Sequence, residues 1–214
     1  MPPVAPPNAT DVNSTASVAP DSASRRRWVG SIGIVAEHAE DLWYVTRQQH
    51  LDAERVAPTK SEWVDGVVYS MAGASKRHVA AVARLVELFA GSAREKGCLF
   101  GSSDLLVATE NANYYPDVVA SCDPSDDPYV EHNPCFIAEV LSPSTSRTDR
   151  IEKRDAFLAL PSMQTFWIVD PDTKMIEAWE RGVDGWKGRH HSADEVLSIA
   201  CLDVNVRVVD VVGI

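Results

Sequence analysis

Two short apolar runs, Tyr114-Tyr115-Pro116-Asp117-Val118-Val119 and Phe136-Ile137-Ala138-Glu139-Val140-Leu141, each carry one carboxylate. A lone carboxylate in an apolar β-type run is costly to bury unless a cation or hydrogen bonds compensate it. A turn-rich segment with Asp123, Pro124, Asp126, Asp127, Pro128, Asn133 and Pro134 separates the runs. If Val118–Ser121 pairs antiparallel with Phe136–Val140, Asp117 and Glu139 arrive at matching ends of one ladder. A couple of carboxylates, completed by waters and substrate phosphate, is how Mg2+ is usually held. The same residues admit a plainer reading, as strand-edge acids facing solvent or as partners of Arg147 and Arg150.

The chain of 214 residues suffices for one domain and a tail. Its formal net charge of -11 argues against a protein whose main task is to coat nucleic acid. It does not exclude an enzyme that binds metal ions, since bound cations cancel charge locally. Cys98, Cys122, Cys135 and Cys201 show no CxxC or Cys/His spacing and read as separate buried thiols of a reducing cytosol. No apolar run approaches the roughly 20 residues of a membrane span. Arg25-Arg26-Arg27 before Trp28–Ala36 has the layout of a twin-arginine export signal. The run is short and ends in Glu37-His38-Ala39-Glu40, so a cytoplasmic protein is expected.

Residues 1–27 are rich in Pro, Ala, Ser, Asn and Thr and cannot bury enough surface to offset their ordering entropy. A disordered tail over 1–27 and a folded domain over 28–214 are expected. Thr46 to Arg55 reads as a short polar helix with Leu51 inward. Glu62-Trp63-Val64-Asp65-Gly66-Val67-Val68-Tyr69-Ser70-Met71 reads as a hairpin around an Asp-Gly turn. Ser75 is a plausible N-cap for a helix in which Val79, Val82, Ala83, Val86, Phe89 and Ala90 recur at spacings of three and four. Leu99 to Ala108 is a strand candidate containing Asp104. Ser146 with Asp149, or Asp149 with Glu152, offers a cap for a helix running to Leu160. Thr165–Asp170 and Lys174–Arg181 read as strands, Gly182 to Gly188 as a turn, and the end as mixed strand or short helix. The pattern is that of one α/β or α+β domain.

Three further residues carry chemistry in principle. Lys153 shares a partly apolar helix face with Ala156 and Phe157; near a metal-bound water it would orient the nucleophile and balance charge on the phosphate. Its plainer reading is an exposed helical Lys beside an acid. Glu62 could add a third carboxylate, or be a strand-entry acid. His78, in the first turn of the clearest helix, could contact phosphate or assist proton transfer, or be a helix-end surface residue. Asp104 ranks below Asp117.

These pieces together resemble the Uma2 family of restriction endonucleases, a branch of the PD-(D/E)xK nuclease superfamily. The resemblance rests on Glu62-Trp63-Val64-Asp65-Gly66, Met71-Ala72-Gly73-Ala74-Ser75 with His78, and Phe100-Gly101-Ser102-Ser103-Asp104. It continues through Tyr115-Pro116-Asp117-Val118-Val119, Glu139-Val140-Leu141-Ser142-Pro143-Ser144-Thr145, Asp149 with Lys153, and Trp167-Ile168-Val169-Asp170. It spans about residues 45–212, and its Glu-Val-Leu-Ser-Pro-Ser-Thr piece is highly specific. It implies a restriction-endonuclease-like α/β fold, a mixed β-sheet flanked by helices. It also implies a Mg2+- or Mn2+-dependent phosphodiester hydrolase acting on DNA. Carried over, Asp117 and Glu139 are metal ligands, Glu62 an additional ligand, Lys153 the catalytic lysine and His78 an accessory. The superfamily lysine stands two residues after the Glu, where this chain has Leu141; Lys153 fits a lysine moved to the following helix.

Two other readings compete with a DNA-cutting enzyme. One is a catalytically weak or inactive nuclease fold serving as a binding or regulatory module, as a homodimer, a reading the acidic balance and the lack of an evident basic patch favour. The other is a metal-dependent phosphohydrolase of small nucleotides. Acids and Lys153 converging on one site, with basic residues at its rim, favour the nuclease.

Overall fold

The computed structural model describes residues 44–142 and 147–213, with backbone alone for 147–149. The 1–27 tail, the Trp28–Ala36 run and the caps at Ser146 and Asp149 lie outside the described residues. Among the described residues, no helix is long and apolar enough to cross a membrane.

Helix α1 (Arg47–Glu54) starts at Thr46, whose hydroxyl accepts from the Gln49 N–H while the Gln49 side chain accepts from the Thr46 N–H. This reciprocal box satisfies two amides the first turn leaves without partners. The hairpin follows as β1 (Ser61–Val64) and β2 (Val67–Ser70). Its turn residues Asp65 and Gly66 have φ of 46° and 94°, the left-handed pair that Asp-Gly tolerates and that matches strand twist. The long helix α2 (Lys76–Glu95) is capped by Ser75, which accepts from the His78 N–H at 3.2 Å.

Six short strands come next: β3 (Leu99–Gly101), β4 (Leu106–Ala108), β5 (Ala112–Tyr114), β6 (Val118–Ser121), β7 (Val130–Glu131) and β8 (Phe136–Val140). Helix α3 (Arg147–Leu158) precedes β9 (Thr165–Asp170), β10 (Met175–Gly182) and β11 (Gly185–His191). The chain then forms β12 (Val196–Ile199), a 3-10 turn at Ala200–Leu202, β13 (Val204–Arg207) and α4 (Val208–Val212). Strands assemble as β2-β1-β5-β4-β7 in one sheet and β11-β10-β9-β8-β6-β3 in a larger one, with β12–β13 a separate ribbon. The larger sheet is mixed: β8 runs parallel to β9 and antiparallel to β6.

Helices cover both faces of that sheet. On one face, Phe89 of α2 packs edge-on against Phe136 and Trp167, with ring centroids 5.9 and 5.7 Å apart. On the other, Phe157 of α3 meets Phe166 at 5.9 Å and Tyr114 of the smaller sheet at 5.4 Å. Alternation along each strand sorts the side chains. Val118, Ala120, Phe136 and Ala138 join the α2 side, while Val119, Ile137, Phe166 and Ile168 join the α3 side.

The sequence reading needs four corrections. The Leu99–Ala108 run is not one strand: β3 and β4 belong to different sheets, and Asp104 lies exposed in the bend between them. The chain uses that bend to pass from one sheet to the other. The apolar repeat of α2 marks a helix and one residue of its buried face, Phe89; the rest of that face is Ala81, Leu85 and Ala93, and Val79 is exposed. Gly182–Gly188 is mostly strand, because β11 begins at Gly185. Its exposed polar residues carry no alternation, and its long ladder with β10 holds it instead. The cysteines are not separate thiols, since Cys98 and Cys122 form a disulfide.

Phe89→Ala should cost about 3–5 kcal/mol, the range for emptying a fully buried aromatic site. Urea unfolding of the variant against the parent checks this; a loss below about 1 kcal/mol would contradict the aromatic packing described.

Candidate active site

The β6–β8 ladder pairs Val118 with Ala138, Val119 with Ile137 and Ala120 with Phe136. One step beyond, Asp117 comes opposite Glu139. By strand alternation both fall on the α3 side of the sheet, with Val119 and Ile137. Glu139 is the one residue of β8 that is not fully buried. Asp117 is held from two directions: its Oδ2 accepts from the Val140 N–H at 2.7 Å, and its Oδ1 lies 3.1 Å from His78 Nε2.

Helix α3 delivers Lys153 to the same place. Its Nζ donates to Glu62 Oε1 at 2.8 Å and sits 5.3 Å from the centre of the Tyr114 ring. Glu62, on β1, also accepts from the Tyr115 N–H at 3.3 Å. Lys153 and Glu62 are only 15% and 12% exposed. A cation this sheltered requires its partner, and losing one member of such a pair is costly.

A pocket of about 120 Å3 collects Asp117, Glu139, Lys153 and His78, with Tyr115, Leu141 and Arg150 among its other walls. The space admits an ion together with some of its waters. Glu62 is not among the wall residues and reaches the site through Lys153. Asp104 stands apart, bonded to Lys60 at 2.6 Å. Of the basic stretch Arg147–Arg154, Arg150 and Lys153 line the pocket. Arg154 instead stacks over Trp179, and the Arg147 side chain lies outside the described residues.

Two titrating groups are displaced here. The hydrogen bond to Asp117 raises His78, with desolvation opposing and the Asp117 charge and the Val140 backbone adding to the rise. Burial, then the bond and charge of Glu54, push the Tyr115 phenol well above its usual value. Its hydroxyl donates to Glu54 at 2.9 Å, so it anchors the turn before Asp117 and does not shuttle protons.

Sequence reasoning missed the Lys153–Glu62 pair, the Val140 amide and Tyr115. Only Tyr115 carried a signal, its place in Tyr-Pro-Asp. The pair joins residues 91 positions apart, beyond any local pattern.

The family model for Uma2, described as "Putative restriction endonuclease", matches residues 47–208. The chain belongs to the Uma2 family. Uncharacterized protein slr1290 of Synechocystis is 32% identical over 166 residues, covering 75% of this chain and 87% of the relative. A second uncharacterized Synechocystis protein, sll1609, is 27% identical over 144 residues, covering 64% and 81%. Among solved structures, an Anabaena variabilis protein described as a putative nuclease belonging to DUF820 superposes with a TM-score of 0.65. It has 15% identity and covers 79% of this chain and 98% of its own. That likeness bears on the fold, which is the restriction-endonuclease-like α/β arrangement expected of a Uma2 chain.

Asp117→Asn in metal-free protein should return the His78 pKa toward about 6.5, the ordinary imidazole value. Imidazole proton shifts followed by NMR across pH read this directly. An unmoved titration would mean that the His78–Asp117 bond does not form in solution.

Proposed function

We propose that this Uma2 protein is a metal-dependent endonuclease that hydrolyses phosphodiester bonds in DNA. The observation that carries the reading is the meeting of Asp117 and Glu139 across one ladder, in a pocket shared with Lys153. Two carboxylates suit Mg2+ or Mn2+, which take hard oxygen donors and keep several waters rather than a closed protein cage. Asp117 and Glu139 would hold the ion, with Glu62 behind Lys153 as a further carboxylate near the shell. Once bound, such an ion supplies Lewis acidity toward a phosphoryl oxygen and eases ionisation of a bound water.

The protein's own groups have separable tasks. The Val140 amide and His78 fix both oxygens of Asp117, so the carboxylate meets its ligand without reorganising. Lys153, aimed by Glu62, holds an ammonium beside the place where negative charge grows on the phosphate. Arg150, three residues earlier on the same helix face, is positioned to grip a phosphate at the mouth. His78 keeps its Nε2 proton on Asp117 and steadies that ligand. The pocket's apolar walls, Phe166 and Ile168, lower the local dielectric and strengthen each of these interactions.

Asp117→Ala and Glu139→Ala should each abolish Mg2+- or Mn2+-dependent cleavage of plasmid and branched DNA, with circular dichroism and melting unchanged in form. Lys153→Ala should slow cleavage by about 10²–10³-fold, the usual cost of one charge-stabilising donor. Cleavage by any of the three at the parental rate would overturn that residue's assignment.

A further inference from the structure

All four cysteines of the chain meet at one end of the larger sheet, away from the acid pocket, whose walls include none of them. The register explains the gathering. Leu99 pairs with Ser121, so Cys98 and Cys122 face each other one step on, and they are joined as a disulfide. Cys135 precedes β8 and donates its N–H to the Ala120 carbonyl at 2.8 Å, which sets it beside the same end of β6. The 3-10 turn brings Cys201 over these strands, its carbonyl 3.5 Å from Cys122 Sγ. Cys122 and Cys135 have their sulfurs 3.7 Å apart, and the sulfurs of Cys122, Cys135 and Cys201 all lie within 4.8 Å of one another.

Four thiolates at about 2.3 Å from a tetrahedral Zn2+ stand roughly 3.8 Å from each other. The Cys122–Cys135 spacing already has that value; Cys98 stands outside the three-sulfur cluster but is bonded to Cys122, so its thiol, once reduced, is the donor at hand to complete the set by a side-chain turn. Cys122 is exposed and gives an ion a way in, while Cys135 is buried. A soft all-sulfur set selects Zn2+ over the hard cations expected at the carboxylates.

We propose that Cys98, Cys122, Cys135 and Cys201 form a Zn2+ site in the reduced protein, and that the Cys98–Cys122 disulfide is its oxidised, metal-free form. Conversion requires an external dithiol, which gives two electrons and two protons to the Cys98–Cys122 bond and becomes a disulfide itself. Zn2+ binding then forms four Zn–S bonds and releases the four thiol protons to solvent. Because Cys201 sits between β12 and β13, the ion clamps the C-terminal ribbon and α4 onto the β3–β6–β8 edge. The separations from Cys98 to Cys201 make this a long-range staple of the kind that gains most from closing chain.

The test uses the full-length chain, reduced with a phosphine under argon in excess Mg2+ and titrated with Zn2+ and, separately, Co2+. One equivalent per chain, a thiolate-to-cobalt charge-transfer band, protection of four thiols from alkylation by Zn2+ and a raised melting temperature are expected. The disulfide form should take up no Co2+ with that band. Cys135→Ser and Cys201→Ser should each weaken Zn2+ binding by more than the roughly 10–100-fold that changes outside the ligand set cost. Folded, reduced wild-type protein that gives no saturable uptake or no charge-transfer band would overturn the proposal, and the wild-type titration decides even if a variant fails to fold. Variants that bind as tightly as the parent would overturn it too, leaving a disulfide beside two ordinary thiols.

Discussion

Val118 faces Ala138 across the β6–β8 ladder, and both carboxylates of the pocket wall, Asp117 and Glu139, take their places from that pairing. A slip of one residue would turn Glu139 toward α2, into the apolar cluster of Phe89, Phe136 and Trp167. The apolar sorting prevents the slip. Phe136, Ala138 and Val140 belong to the α2 side and Ile137 to the α3 side, so burial on both faces specifies the register together. The site is thus a by-product of core packing on a sheet whose central strands are buried almost throughout.

Two pairs carry charge into this apolar surrounding. Asp117 meets His78 and an amide, and Lys153 meets Glu62. Such pairs add little net stability compared with apolar packing, since desolvation offsets most of the attraction. Their value is positional. Each polar group is fixed by a neighbour on another element, α2 to β6 in one case and α3 to β1 in the other, so the two sheets and both helices converge on one cavity.

What could be read from sequence divides along a physical line. The Asp-Gly hairpin was legible because only a few residues accept two successive left-handed conformations. The antiparallel meeting of Asp117 and Glu139 was legible because each interrupts a run too apolar to lie in a loop. The buried face of α2 was legible only at Phe89: Val79, Val82, Ala83, Val86 and Ala90 are as apolar as Ala81, Leu85 and Ala93, and tertiary packing chose the latter to lie with Phe89. The cysteine gathering was invisible for a different reason. Cys98, Cys122, Cys135 and Cys201 have no short spacing, and only three adjacent strands plus a distant turn bring them together. The strand β11 gave no signal because its pairing with β10, rather than its burial, holds it in place.

The position of the lysine follows from the same geometry. A side chain two residues after Glu139 shares its face of the strand. This chain has Leu141 there, packed against the apolar cluster under α3 and forming part of the pocket wall. An amine at 141 would rise from the floor of the site, whereas Lys153 descends from the helix that roofs it. Both positions bring an ammonium to the same face, where the proposed reading needs a positive charge. On α3, Lys153 stands three residues from Arg150, on one helix face. Strand register sets the acids and helix docking sets the cations, and Phe157, buried against Tyr114 and Phe166, locks the second arrangement to the first.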